Sequence, residues 1–428
     1  MPNLIGFLLF ISAVLVGEMS DVAANPLIHL VLLVLLASFL TPAMRPFRLP
    51  DFIPAVLAGM VVGRGCLGLV HERFFDSMAL IDAFFIMLVV AGISSVITAK
   101  AKPSELVMNT MAGLFMSLTA GGLAALLLLP TGLPFQSRVV FSLVAALFAP
   151  VSVFTLTGHL PARDAFTLRA LGAFFGAVAI FGVAVPFTNP GGEFRIRIAL
   201  MPLVLACTSL IAGMSWGFLS DKLLFSEQRK LNAFAPFAVL FLLYPCCEAV
   251  GLDFPFAAAG VGLYFGLLTE RSGLIVLNSG IPRLIVFGFF GIALSREDVL
   301  SPFLADWKIV LVVAAIVMGA RYLTSLAADR IFFRSNNQGF VRPLYLTWYG
   351  PLTAVAVQRF VPAISGQENL MPSGVTIPAT VASVIIVSLA ALTILHPLTV
   401  LTAPAESREP AEPDPPRGRR APADTGGP

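Results

Sequence analysis

The chain has 428 residues, of which 57% are hydrophobic and 12% charged, and its formal net charge is +3. So few charges exclude a water-soluble globule of this length, whose surface needs roughly twice that fraction. Nothing in the placement of basic residues suggests nucleic-acid binding. No nucleophile–base set or metal constellation points to an enzyme or to a bound cofactor.

The first segment, Met1 to Gly17, is apolar but short, lacks a basic leader, and is followed by Glu18 and Asp21. It fits an uncleaved extra helix or a signal segment, and residues 1–25 are set apart on that account. Thirteen apolar stretches follow, at about 26–43, 51–69, 76–98, 106–129, 138–158, 165–187, 196–219, 231–250, 253–269, 274–295, 307–328, 343–361 and 375–402. Each is long enough to cross a hydrocarbon layer of about 30 Å as a helix. In lipid the backbone must satisfy its own hydrogen bonds, so long apolar runs predict helices rather than barrel strands. The expected fold is an all-α integral membrane domain over 26–402, with 13 spans, or 14 with the N-terminal segment. From Ala403 to Pro428 the sequence turns to Pro, Glu, Asp and Arg without apolar period, which predicts a disordered tail.

Alternate loops differ in basic residues, twelve Lys and Arg on one side against five on the other, and Arg408, Arg417, Arg419 and Arg420 join the richer side. The positive-inside rule then places the C-terminus in the cytoplasm of a multi-pass protein of the cell (inner) membrane.

Asp51-Phe52-Ile53-Pro54 leads into Ala58-Gly59, and Asp253-Phe254-Pro255 leads into Ala259-Gly260. Pro54 and Pro255, Gly59 and Gly260, and Pro150 and Pro351 all stand 201 positions apart, as do the spans that begin at 106 and 307. Two six-helix units joined by the span 196–219 account for this offset. Seven helices separate the copies, and an odd shift inverts one copy relative to the other. Paired helix interruptions in inverted halves are the sequence signature of a secondary transporter with a site at the midplane.

The interruptions are Phe148-Ala149-Pro150-Val151-Ser152 and Gly350-Pro351-Leu352-Thr353. Proline removes a backbone donor and frees a carbonyl, so half-helix ends there can offer partial charge to an ion, with Ser152, Thr155 and Thr353 as neutral ligands. A pair of packing kinks is the plainer alternative. Arg321 lies fourteen residues into its span, so it either faces protein or snorkels to the surface. Asp82 and Glu248 are the acids that fall within spans, Asp82 about two turns from the outer end and Glu248 beside the turn at Gly251. Gly172-x-x-x-Gly176 predicts a close helix-packing face.

With these residues assembled, the chain resembles the monovalent cation:proton antiporter superfamily, in particular sodium/proton exchangers of the thirteen-helix type. The resemblance rests on the Pro54-to-Gly63 helix, the stretch from Glu248 to Gly260, the Arg321 helix, and Trp348-Tyr349-Gly350-Pro351-Leu352-Thr353-Ala354. It implies a homodimer with a scaffold and a mobile core, exchanging a monovalent cation (Na⁺ or K⁺) for protons. It also exposes departures. Such antiporters carry Thr-Asp-Pro, or close to it, where this chain has Phe148-Ala149-Pro150, and one or two aspartates where it has Ala173-Phe174-Phe175-Gly176-Ala177. The family's polar position in the third helix corresponds to Val89-Val90-Ala91-Gly92, and Arg321 keeps the basic position without the aspartate that pairs with it. The expected function is therefore antiport with a non-standard ion site. The alternatives are a degenerate transporter with a structural or regulatory role, or a carrier of an anion or neutral solute.

Overall fold

A computed structural model of the chain describes residues 26–47, 49–63, 86–87, 90, 103–157, 163–188, 196–224, 235–267, 280–295, 300–333, 342–354, 356–357, 361, 371 and 374–401. Asp82, Arg64, and the segments 1–25 and 403–428 lie outside these residues. The described chain is helical and contains no strand. Its helices are α1 (Pro26–Met44), α2 (Ile53–Val62), α3 (Pro103–Leu127), α4 (Phe135–Ala146), α5 (Pro150–Leu156), α6 (Arg163–Thr188), α7 (Ile196–Leu224), α8 (Ala235–Val250), α9 (Phe254–Leu267), α10 (Gly280–Leu294), α11 (Leu300–Phe333), α12 (Arg342–Leu346) and α13 (Ile377–Leu401). Among the described residues, helices at 104–131, 300–333 and 377–396 are each long and apolar enough to cross a membrane on their own.

Prolines and acids at helix starts explain several boundaries. Pro54 stands at the first turn of α2, where a missing amide hydrogen costs nothing. The residue before the main body of α11, Asp306, leaves helical geometry at φ −159° and ψ 76°. Its Oδ1 accepts from the Ile309 amide at 3.3 Å, an N-cap that starts the apolar part of the helix at Trp307. The sequence span beginning at 307 reflects that cap.

The helices pack in three groups. One bundle joins α3, α4, α5 and α6 to α11, α12 and α13. Against it stand α1, α2 and α10 on one hand and α7, α8 and α9 on the other, with α6 touching α7. The halves of the repeat interdigitate. Helix α2 of the first half crosses α10 of the second so closely that a Cβ on Gly59 would collide with the Gly288 carbonyl, and one on Gly291 with the Val56 carbonyl. Reciprocally, α9 of the second half lies against Met87 of the first, where Gly262 permits the approach. The Gly172 and Gly176 faces meet Thr110 and Leu114 of α3, the tight packing that their spacing implied.

The 201-residue offset is visible in the element boundaries themselves. Helix α2 begins at Ile53 and α9 at Phe254. Helix α4 ends in a non-helical stretch at 147–149 before α5 begins at Pro150, and the counterpart stretch at 348–350 ends where helix resumes at Pro351. Both breaks lie in the seven-helix bundle, and they cross.

Candidate functional site

At the first break Leu147 (φ −79°, ψ 93°) and Ala149 (φ −111°, ψ 93°) are extended, so the helical hydrogen-bond ladder stops after α4. It restarts where the Val153 amide donates to the Ala149 carbonyl at 3.1 Å. At the second break the Ala354 amide donates to the Gly350 carbonyl at 3.3 Å, the same event one repeat later. The two breaks touch. Ser152 Oγ donates to the Tyr349 carbonyl at 2.7 Å. A Cβ at Gly350 would collide with Ser152 Oγ and come within 3.1 Å of Ala149 Cβ, so a larger residue would have to displace the Ser152 hydroxyl at the crossing. These contacts show two helix ends meeting, the arrangement that the paired prolines predict.

Arg321 closes the crossing. It belongs to the buried stripe of α11 that includes Val310, Val313, Ala314, Val317, Ala320 and Thr324, and it is 0% exposed. It does not snorkel. Its Nη1 donates to the carbonyls of Leu147 and, at 3.3 Å, Val144. Its Nη2 donates to the carbonyls of Trp348 at 3.0 Å and Leu346 at 3.5 Å. The guanidinium carbon lies 4.5 Å from the centre of the Phe148 ring and 4.3 Å from that of Tyr349. Leu147 and Trp348 are 201 positions apart, and so are Phe148 and Tyr349. One planar cation on a local twofold thus receives equivalent carbonyls and equivalent rings from the two halves.

The physics of this arrangement is that of a cation at helix C-termini. Freed carbonyls at the ends of α4 and α12 carry partial negative charge, and a positive group stabilises both. The two ring faces add attraction that strengthens when water is excluded. Burying a guanidinium in a membrane interior costs several kcal/mol, which these partners offset. Among the described residues no carboxylate pairs with Arg321.

The remaining neutral candidates lie at the same place. Ser152 and Thr353 are 0% exposed, and Thr353 Oγ1 accepts from the Gly350 amide at 3.4 Å. Thr155 is half-buried on α5. Pro150 and Pro351 begin the two second half-helices. The structure therefore brings together Arg321, Pro150, Ser152, Gly350, Pro351 and Thr353. Asp82 lies outside the described residues, and Glu248 is exposed on α8.

A second charged cluster escapes sequence inspection. On α6, Arg169 pairs with Asp329 of α11 through Nη1 and Oδ1. Its Nε donates to Asn109 Oδ1 of α3 at 2.8 Å, and Asn109 Nδ2 donates to the Glu105 carbonyl at 2.7 Å. The Phe333 ring lies 3.5 Å from the guanidinium. The two charged side chains are 9% and 14% exposed, so the pair clamps three helices of the bundle from within.

Beside the crossing, an open apolar cleft separates α6 and the half-helix after Pro351 from α9 and from Ile86 and Val90. Leu171, Phe174 and Phe175 line it from α6, Phe256 from α9, Val90 from the first half, and Leu352 from the crossover. Phe174 and Phe175 bring aromatic carbon to it, at the positions where the resemblance implies aspartates.

Two interlocked halves with broken helices crossing inside an apolar bundle define a secondary transporter rather than an enzyme. A family model described as "Sodium/hydrogen exchanger, transmembrane" matches residues 31–401, and the chain belongs to that family. Solved structures share its fold, two of them of one antiporter. The sodium proton antiporter MjNhaP1 from Methanocaldococcus jannaschii at pH 8 aligns at 16% identity and a TM-score of 0.59, covering 88% of this chain and 98% of that one. An electron-microscopy structure of the same antiporter aligns at 18% identity and a TM-score of 0.60, covering 87% and 96%. No curated protein matches the chain in sequence.

Proposed function

We propose that the chain exchanges a monovalent cation, Na⁺ or K⁺, for protons, at an ion site that departs from the family's usual one. The observation that carries this is the crossover, whose two breaks meet on Arg321 with equivalent partners from both halves. An ionisable residue held inside a membrane domain marks a functional site by default.

The Arg321 guanidinium already engages the carbonyls that would cradle a bare cation, and like charge repels one. The titrating group therefore lies off the crossing, and Asp82 is the residue assigned to it. It belongs to the same apolar span, 76–98, that contributes Ile86 and Val90 to the cleft. Ser152, Thr155 and Thr353 supply neutral oxygens near the path. Arg321 is no anion receptor in this reading, because four carbonyls take its Nη donors and two rings cover its faces. The protein works as a homodimer in the cell membrane with its C-terminus in the cytoplasm, the side favoured by its basic loops.

One observation favours a second reading. The cleft carries aromatic carbon where exchangers of this kind keep acids, as a transporter fold that has lost ion exchange and kept a structural or regulatory role would. Proton movement in liposomes loaded with a pH-sensitive dye separates the two. Purified protein should give a pH-dependent signal on addition of Na⁺ or K⁺, and Asp82→Asn should reduce it at least about tenfold. A signal no larger than in protein-free liposomes would overturn exchange and leave the second reading.

A further inference from the structure

The local twofold around Arg321 is broken at one atom. Phe148 and Tyr349 cover the two faces of the guanidinium, and Tyr349 adds a hydroxyl that its counterpart lacks. Tyr349 is 0% exposed, and its Oη has no hydrogen-bond partner. The guanidinium carries a matching orphan: both Nη groups donate to carbonyls, whereas Nε–H meets no acceptor. Native interiors avoid such a state, because each buried polar group left unpaired bears its full desolvation penalty. Ser388 of α13, also 0% exposed, completes the set. Like the guanidinium, it interacts with the Tyr349 hydroxyl without reaching direct hydrogen-bond geometry. Its own hydroxyl hydrogen goes to the Val384 carbonyl at 2.7 Å, which leaves its lone pairs to accept.

From this we infer that the crossing holds one buried water molecule, bonded to Arg321 Nε, Tyr349 Oη and Ser388 Oγ. The hydrogen bonds balance. The water oxygen accepts from Nε–H and from the phenolic O–H with its two lone pairs, and one water hydrogen goes to Ser388 Oγ. About three polar partners are what a buried water takes, and polar groups held just beyond direct reach are where it bridges. A cation is a poor occupant, because the guanidinium repels it. A halide ion would accept from the two donors but has no hydrogen for Ser388 Oγ. The carbonyls of the two breaks fix the Nη edge of Arg321, and the water fixes its Nε edge. Tyr349 and Ser388 are thereby positioning residues for Arg321, and they tie the crossing to α13. Cation exchange is not needed for this site, and the test does not use it.

The test is X-ray radiolysis of the full-length protein in nanodiscs equilibrated with isotope-labelled water, followed by mass spectrometry. Hydroxyl radicals formed from a held water mark the side chains beside it. Tyr349 should take up label at least about tenfold more than Phe141 and Phe287, which are equally buried but lie in the apolar core. Label on Tyr349 no greater than on those two rings would overturn the proposal. Thermal unfolding of Tyr349→Phe gives a second reading. Loss of a bridged hydroxyl should lower the midpoint by about 1–2 °C, whereas loss of an unpartnered one raises it. A midpoint equal to or above that of the parent would therefore overturn the proposal as well. Replacing gluconate by chloride at constant ionic strength should leave the parent's midpoint unchanged. A rise in the parent that is absent from Tyr349→Phe would also overturn it, by showing a halide in place of the water.

Discussion

Arg321→Ala should be among the most destabilising single substitutions in the chain, at about 4 kcal/mol or more. Removing the guanidinium strands the carbonyls of Leu147 and Trp348 in an interior shut off from bulk water, and each unsatisfied group costs about 1–3 kcal/mol. It also leaves a void between the Phe148 and Tyr349 rings, with a further cavity penalty. Arg321→Lys keeps the charge but loses the fork that reaches both breaks at once, so it should recover about half of the loss. Thermal unfolding of the detergent-purified variants, followed by tryptophan fluorescence, measures both. An alanine variant within about 1 kcal/mol of the parent would mean that the side chain reaches solvent.

The clamp between α6 and α11 should show the second large effect. Arg169→Ala takes the guanidinium from Asp329, a mostly buried carboxylate, and Asp329→Ala takes this carboxylate from the Arg169 guanidinium. Each should cost roughly 3 kcal/mol, the lower end for breaking a buried pair, because some solvent reaches both groups. The double variant should be less damaging than the sum of the singles by about 2 kcal/mol, since each single already removes the contact that the two share. Additive losses in the same unfolding assay would show that the two residues act independently.

Much of this fold was legible in the sequence, and the reason is periodicity. Length and apolarity gave the all-helical class, because lipid admits little else than helices. The offset between Pro150 and Pro351 placed both breaks: Pro42 and Pro245 sit inside continuous helices, and pairing at one offset is what sets the two apart. Arg321 could have been assigned to the buried face from sequence alone. Val310, Val313, Val317, Ala320 and Thr324 repeat at helical spacing around it, whereas a snorkelling residue would fall between such positions. What the sequence did not disclose depends on contacts between distant residues. Arg169 and Asp329 lie near the ends of their expected spans, where single charges are ordinary, and only packing shows that they meet 160 positions apart. The partners of Arg321 were hidden for a different reason: they are backbone carbonyls, which every residue has. The apolar cleft follows from Phe174 and Phe175, but its opposite wall comes from α9 and the 86–90 segment.

The central claim is that one carboxylate away from the crossing binds a proton and a cation in alternation, while Arg321 holds the crossing shut as a fixed charge. Proton release on cation binding tests this most directly. Na⁺ or K⁺ added to weakly buffered, detergent-solubilised protein should release about one proton per chain, and Asp82→Asn should abolish the release. Release from the Asp82→Asn protein equal to that of the parent, or cation binding without any release, would contradict it.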